Sequence, residues 1–251
     1  MGYVIAIAGN GGTGKTTLAA LLVRLIKENK LGSILAVDAD PNSNLAEALG
    51  VNIKETIGSL LDEIAAHPEK VPVGMPKDAF LEYQVQTAIS EGEGFDLLTM
   101  GRPEGPGCYC YVNNVLRNVV GKLMQSYQYI VLDNEAGLEH LARRTMRYAD
   151  ALVVVSDATL VGLKAAQRIR ELVKELKIKT KKNFLVVNRF AGTWEAEKSK
   201  KVALDLDYLG DIPFDREIEK ISLNGNSIMA LESEAVSISA LERMGEKIWQ
   251  K

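Results

Sequence analysis

The chain has 251 residues, 47% of them apolar and 25% charged, and a formal net charge of −3. That balance suits a globular protein with a substantial core and argues against a nucleic-acid binder, because no dense Lys/Arg block offers phosphates an electrostatic footprint. No run approaches the roughly 18 consecutive apolar residues of a membrane span, and the opening MGYVIAIAGNGG lacks the basic flank and cleavage site of a signal peptide. The expectation is one domain over residues 1–251, cytoplasmic, with no nucleic-acid or membrane partner.

Apolar, β-rich runs recur along the chain: YVIAIAG (3–9), SILAVDAD (33–40), FDLLTMG (95–101), YQYIVLDNEA (127–136), ALVVVSDA (151–158), KNFLVVNR (182–189) and DYLGDIP (207–213). They lack clean alternation, which predicts strands covered on both faces. KTTLAALLVRLIKENK (15–30) and TLVGLKAAQRIRELVKELK (159–177) place apolar residues at three- and four-residue spacing, as amphipathic helices do. Strands alternating with helices predict an α/β fold, a mostly parallel sheet flanked by helices on both faces, with ligands beyond the carboxyl ends of the strands. Residues 66–94 are the least regular stretch, expected to form a surface excursion with a short helix. The C-terminal SALERMGEKIWQK is amphipathic with mixed charges, a pattern suited to docking on the core and not to a membrane surface.

The first run leads straight into GNGGTGKTT, where Gly9, Gly14, Lys15 and Thr16 satisfy the P-loop pattern between a strand and a helix. This predicts a P-loop NTPase that binds a nucleoside di- or triphosphate with Mg²⁺; that the nucleotide is ATP or ADP follows from the resemblance given below. The backbone of Gly11, Gly12, Thr13 and Gly14, with Thr17 just beyond, would surround the phosphates at a helix N-terminus; Lys15 would reach the β- and γ-phosphates and Thr16 would ligate Mg²⁺. Asp38, Asp40 and Asp133 fall at strand ends. One such Asp is commonly a turn or cap residue, but three near one P-loop read as a magnesium and water-positioning set, with Asp40 orienting the attacking water and Asp133 in the metal's outer sphere.

GNGGTGKTT, DADPNSNL, VLDNEAGLEHLARRT, VVNR and GDIPFD together resemble the deviant-Walker-A ATPases, the group of the division-site protein MinD, the partition ATPases and the nitrogenase iron protein. Within that group, DNEAGLEHLARRT combined with CYC most resembles the CooC-type maturation ATPases, which insert nickel into carbon monoxide dehydrogenase, and their relatives serving acetyl-CoA synthase. The resemblance implies a nucleotide-driven homodimer with a nickel-enzyme client. It also implies adenine contacts from Asn188 and from the segment of Ile212, Pro213 and Asp215, and a switch running from Asp40 toward the cysteines. One position departs from the pattern: Asn10 stands where the family carries a second catalytic lysine. Asn10 can donate a hydrogen bond but cannot supply a mobile positive charge to the transferring phosphoryl group, which implies slow hydrolysis or a substitute group elsewhere.

Cys108 and Cys110 are the chain's two cysteines, one residue apart in PEGPGCYCYV. Alternate residues rarely reach disulfide geometry without strain, and a reducing compartment leaves both as thiols. Isolated cysteines are commonly small core residues. Here, however, a turn-rich approach to the helical pattern NNVLRNVVGKLMQ favours the thiolate, and the resemblance points to metal ligation. One chain supplies two thiolates, half of a four-ligand set, and a two-fold axis beside the loop would supply the rest. Four thiolates accept Zn²⁺ tetrahedrally or Ni²⁺ in a square plane, and nickel follows from the resemblance alone. His140, His67 and Trp194 read as capping, surface or packing residues, His140 with a weaker claim on the dimer interface. Two further readings stand beside the metallochaperone: a positioning ATPase of the same fold, and a nucleotide-gated binding module that does not hydrolyse.

Overall fold

The computed structural model describes residues 2–102, 118, 120–135, 148–190 and 205–249. Cys108, Cys110, His140 and Trp194 lie outside them. Eight strands are described: β1 Tyr3–Gly9, β2 Ile34–Asp38, β3 Ser90–Gly92, β4 Phe95–Thr99, β5 Tyr129–Asp133, β6 Tyr148–Ser156, β7 Lys179–Phe190 and β8 Asp207–Pro213. They form a single sheet in the order β3-β4-β2-β5-β1-β6-β7-β8. Every pairing is parallel except that of β3 with β4. The helices are α1 Lys15–Glu28, α2 Leu45–Leu49, α3 Ile57–Ala66, α4 Lys77–Thr87, α5 Leu160–Glu175, α6 Arg216–Leu223 and α7 Val236–Trp249.

The strands lack alternation because both faces of the sheet are dry. Ile5, Ile7, Val131 and Val153 face one apolar layer with α1, α2 and α7. Val4, Ala6, Leu132 and Val154 face the other with α3, α4 and α5. Parallel strands covered in this way need apolar residues at successive positions, which is the pattern of the sequence. On the first face, Ile238, Leu241, Met244 and Ile248 bury the apolar stripe of α7. The Tyr3 hydroxyl donates to the Ile248 carbonyl at 2.7 Å. Arg24, buried on α1, donates to the Ile228 carbonyl at 3.2 Å and to that of Leu231, and pairs with Glu28 at 2.7 Å. The 228–231 turn is thereby fastened to the helix that follows the glycine loop. No described helix is long and apolar enough to cross a membrane.

The irregular 66–94 stretch holds the expected short helix, α4, but it is not simply a surface excursion. Phe80, Leu81 and Val85 are buried, and β3 adds an antiparallel edge to β4 through a turn at Gly94, where φ is 83°. Ser-Glu-Gly carries no apolar run, so the strand is defined by its ladder and by little in its own sequence.

Topology fixes where a ligand can sit. β1 lies between β5 and β6, and α1 starts six residues after β1 ends. Asp38 of β2 pairs in register with Asp133 of β5, and Ile7 of β1 pairs with the same Asp133. Two carboxylates therefore stand side by side at the carboxyl ends of central strands, on the face that α1 covers.

Candidate functional site

The loop between β1 and α1 is shaped by two glycines. A Cβ on Gly9 would stand 2.5 Å from the Val155 carbonyl oxygen and 2.8 Å from the Thr13 hydroxyl. Gly14 has a φ of 91°, and a Cβ there would lie 2.2 Å from the Asn188 side-chain amide. Both positions need the absence of a side chain. Between them, Gly11 and Gly12 are exposed, with nothing within 4 Å of where a Cβ would point. The Asn10 carbonyl closes the loop by accepting from the Thr13 hydroxyl at 2.9 Å and from Lys15 Nζ at 3.0 Å. The Asn10 residue is exposed.

Lys15 is buried, which pushes its ammonium below the usual lysine range, while Asp133, Asp40 and Glu135 pull it back up. The lysine thus lies folded against its own loop, beside three carboxylates. Asp133 is 1% exposed, and neither of its carboxylate oxygens has a hydrogen-bond partner. Burial pushes its pKa up to about 6, with Asp40 adding to the rise, against the opposing pull of the Thr16 hydroxyl and of Lys15. Thr16 approaches that carboxylate without an aligned hydrogen bond to it. A buried, unpartnered carboxylate is costly unless a ligand completes it.

Asp38 differs from its neighbour. Its two oxygens accept from the backbone N–H groups of Asp40 at 3.1 Å and Leu45 at 2.8 Å, and burial raises its pKa to about 7. Its carboxylate is engaged in holding the 40–45 turn. Asp40 stands on that turn, half-buried, accepting from the Asn42 backbone and side-chain amides, each at 2.9 Å. Among the described residues, no group of three or more His, Cys, Asp or Glu side chains is arranged as a metal cage. A carboxylate beside a hydroxyl, as in Asp133 and Thr16, fits Mg²⁺, which takes one or two protein oxygens and leaves the rest of its shell to phosphates and water. The orphaned oxygens of Asp133, with the Thr16 hydroxyl nearby, are the groups able to take it.

Beside the start of α1 opens a cavity of about 340 Å³, lined among others by Thr17, Leu18, Asn188, Ile212, Pro213 and Asp215. The segments of Asn188 and of Ile212 to Asp215, far apart in sequence, thus meet on one wall through the β7–β8 pairing. Asn188 is buried and donates its side-chain N–H to the Thr13 carbonyl at 2.8 Å, tying the cavity to the glycine loop. The Asp215 carboxylate is already committed: it caps α6 through Glu217 N–H at 2.9 Å and accepts from Ser237 N–H at 3.1 Å and the Ser237 hydroxyl at 2.7 Å. Burial pushes that carboxyl up, but the donors from Ser237, Glu217 and Ile218 together bring it below the usual range. It is an anchor for the cavity wall. His67, at the end of α3, is exposed and lies 3.0 Å from Glu69, far from a site role.

Two residues gained significance only in three dimensions. Asn134 hangs from the Ile7 carbonyl by its backbone N–H at 3.2 Å and its side-chain amide at 2.6 Å, fixing the end of β5 to β1. Glu135 follows, with one carboxylate oxygen buried and unpartnered, close enough to Lys15 to act on its charge. An acid two positions after a strand-end Asp was the signal available in the sequence.

Comparison with known proteins agrees with this geometry. The family model of the CobQ/CobB/MinD/ParA nucleotide binding domain matches residues 4–228. An uncharacterised ATP-binding protein of Methanocaldococcus jannaschii is 40% identical over 253 residues, 99% of this chain and 99% of that protein. The carbon monoxide dehydrogenase accessory protein CooC of Rhodospirillum rubrum is 29% identical over 261 residues, 96% of this chain and 97% of CooC. Among solved structures, septum site-determining protein MinD of Pyrococcus horikoshii, complexed with Mg-ADP, superposes with a TM-score of 0.72 at 22% identity, over 100% of this chain and 97% of that one. With the glycine loop, the strand-end carboxylates and a matching parallel sheet in place, the chain belongs to the CobQ/CobB/MinD/ParA family of P-loop nucleotide-binding proteins.

Proposed function

We propose that this protein is an ATP-hydrolysing maturation factor for a nickel enzyme, carbon monoxide dehydrogenase or acetyl-CoA synthase, acting as a nucleotide-dependent homodimer with one domain over residues 1–251. The observation that carries the proposal is the similarity to CooC along nearly the whole of both chains, joined to a Cys108-Tyr109-Cys110 pair in a chain with no other cysteine. In this reading the backbone from Gly11 to Thr17 binds the phosphates, and Lys15 leaves the Asn10 carbonyl for the β- and γ-phosphates. Asn188, Ile212 and Pro213 hold the adenine, while Asp215 keeps their wall in place. Mg²⁺, taken by Thr16 and Asp133, supplies positive charge against the phosphate oxygens. Asp38 supports the turn that carries Asp40, and Asp40 orients the attacking water. Cys108 and Cys110 of two copies take Ni²⁺ or Zn²⁺ as cargo.

The buried apolar stripe of α7 weighs against a membrane-positioning ATPase, since that face is occupied by the core. The exposed, neutral Asn10 favours a second reading, in which nucleotide gates metal binding without turnover. Phosphate release measured beside nucleotide affinity separates the two. The main test is a metal titration followed by molar mass. Binding of one Ni²⁺ or Zn²⁺ per two chains, abolished by Cys108→Ala and by Cys110→Ala, is expected. Saturation at one metal per monomer, with both variants still binding, would sink the shared site.

A further inference from the structure

A second cavity, of about 640 Å³, opens at the opposite end of α1 from the glycine loop. Four segments distant in sequence meet around it: the last turn of α1 at Lys27, the end of α2 with the chain running on to Lys54, the β3–β4 turn, and the turn at 227–230. Its apolar side is made by Leu49, Phe95 and Met229, the first two buried. The Phe95 ring occupies the place of a missing side chain, since a Cβ on Gly92 would stand 2.5 Å from it. A cavity of this volume is in the range that holds small ligands.

The rim carries two ammonium groups and two carboxylates. Lys27 faces Glu93 at 3.4 Å, and Lys54 faces Glu91 at 3.7 Å. Both separations exceed the roughly 2.7–2.9 Å of a close charge-assisted hydrogen bond. The Glu93 and Glu91 side chains are 95% and 79% exposed, so water screens each pair and every member keeps bonding capacity. A plain anion would gain from the lysines and be repelled by the glutamates, and a plain cation would meet the reverse. A ligand with one group of each sign satisfies both, while an apolar body covers Leu49, Phe95 and Met229.

The walls of this cavity are the far ends of the elements that build the nucleotide site. From Lys15 to Lys27, α1 runs about 18 Å along its axis. α2 starts at Leu45, whose N–H is held by Asp38 beside the Asp40 turn, and ends at Leu49 in the cavity wall. The 227–231 turn ties the two helices together. The Ser227 hydroxyl donates to the Ala48 carbonyl at 3.2 Å, and Arg24 donates to the Ile228 and Leu231 carbonyls.

We propose that this cavity is an effector site for a zwitterionic ligand with an apolar side chain, an amino acid or a dipeptide, and that its occupancy shifts nucleotide affinity through α1 and α2. The ligand carboxylate faces Lys27 and Lys54, and its ammonium faces Glu91 and Glu93. Binding here is independent of the adenine-nucleotide reading, whereas the shift rests on it. The test is calorimetric titration of the nucleotide-free protein with leucine, leucyl-leucine, N-acetyl-leucyl-leucine and leucyl-leucine amide, then of ADP with and without the saturating zwitterion. One zwitterion per chain is expected, and the tighter of leucine and leucyl-leucine identifies the source. Blocking either charged end should weaken binding roughly tenfold. Lys54→Ala should weaken leucyl-leucine but not its amide, which has no carboxylate to lose. Ala230→Trp, at an exposed rim position, should block the cavity while keeping the wild-type melting temperature and ADP affinity. The saturating zwitterion should change ADP affinity roughly fivefold, and ADP should change zwitterion affinity by the same factor. No binding of either zwitterion, equal binding of the blocked peptides, or binding that survives Ala230→Trp would overturn the site. Binding with ADP affinity unmoved would overturn the effector role. A wild type that takes leucyl-leucine but no ADP would overturn the adenine-nucleotide reading and the shift, with the zwitterion site upheld.

Discussion

Replacing Asp133 by Asn should stabilise the nucleotide-free protein while removing its response to Mg²⁺. Asp133 is 1% exposed and both its oxygens are unpartnered, so its charged form is disfavoured in the native state. The rise from 3.8 to about 6 corresponds to about 3 kcal/mol, to order of magnitude. Because the native pKa lies above the unfolded one, the native state binds more protons between these values. Stability from this group is therefore full below about pH 4 and lost as pH rises through about 6. Asp38, raised to about 7 and repelled by Asp133, should ionise more readily once its neighbour is neutral. Urea denaturation in EDTA should show Asp133→Asn more stable by about 2–3 kcal/mol at pH 8, the gap closing as pH falls toward 4. Adding Mg-ADP should raise the midpoint of wild type and leave that of the variant nearly unmoved. A variant less stable than wild type at pH 8 without metal would refute the view that Asp133 is an uncompensated buried charge.

Lys15→Ala should abolish ADP and ATP binding in calorimetry, whereas Asp40→Ala should bind both and release no phosphate; equal loss of affinity would remove Asp40 from the water-positioning role. Asn10→Lys should raise the rate of phosphate release with little change in ADP affinity, and no increase in a variant shown to be dimeric would mean that another group already fills that place. Asp215→Ala removes a helix cap and the carboxylate that accepts from the Ser237 N–H and hydroxyl, and should cost about 2–3 kcal/mol in urea denaturation. Since this carboxyl is held below the usual range, its contribution should be present above its unfolded pKa and vanish as pH falls through the native one. A cost under about 0.5 kcal/mol would show that solvent replaces the Ser237 donors.

The parallel core of this protein was legible in the sequence because a strand buried on both faces must be apolar at successive positions, and YVIAIAG, ALVVVS and NFLVV can satisfy little else. The glycine loop was legible for a similar reason: Gly9 and Gly14 sit where a Cβ meets other atoms, a constraint that only composition can meet. Edge strand β3 was not legible, since three residues without an apolar run become a strand only through their ladder with β4.

The division of labour among acidic residues belonged to tertiary structure as well. Asp38 and Asp133 end strands and Asp215 follows one by two residues, and as letters the three are alike. Only the surrounding donors decide that Asp38 braces a turn, that Asp133 is left without a partner, and that Asp215 is spent on Ser237. The 640 Å³ cavity shows the same limit, because Lys27, Lys54, Glu91 and Met229 come from distant segments that only the folded chain brings around one space. Local sequence determines backbone form where sterics and burial leave one solution. Which polar atoms end up satisfied depends on neighbours brought from distant parts of the chain, and only the folded sheet supplies them.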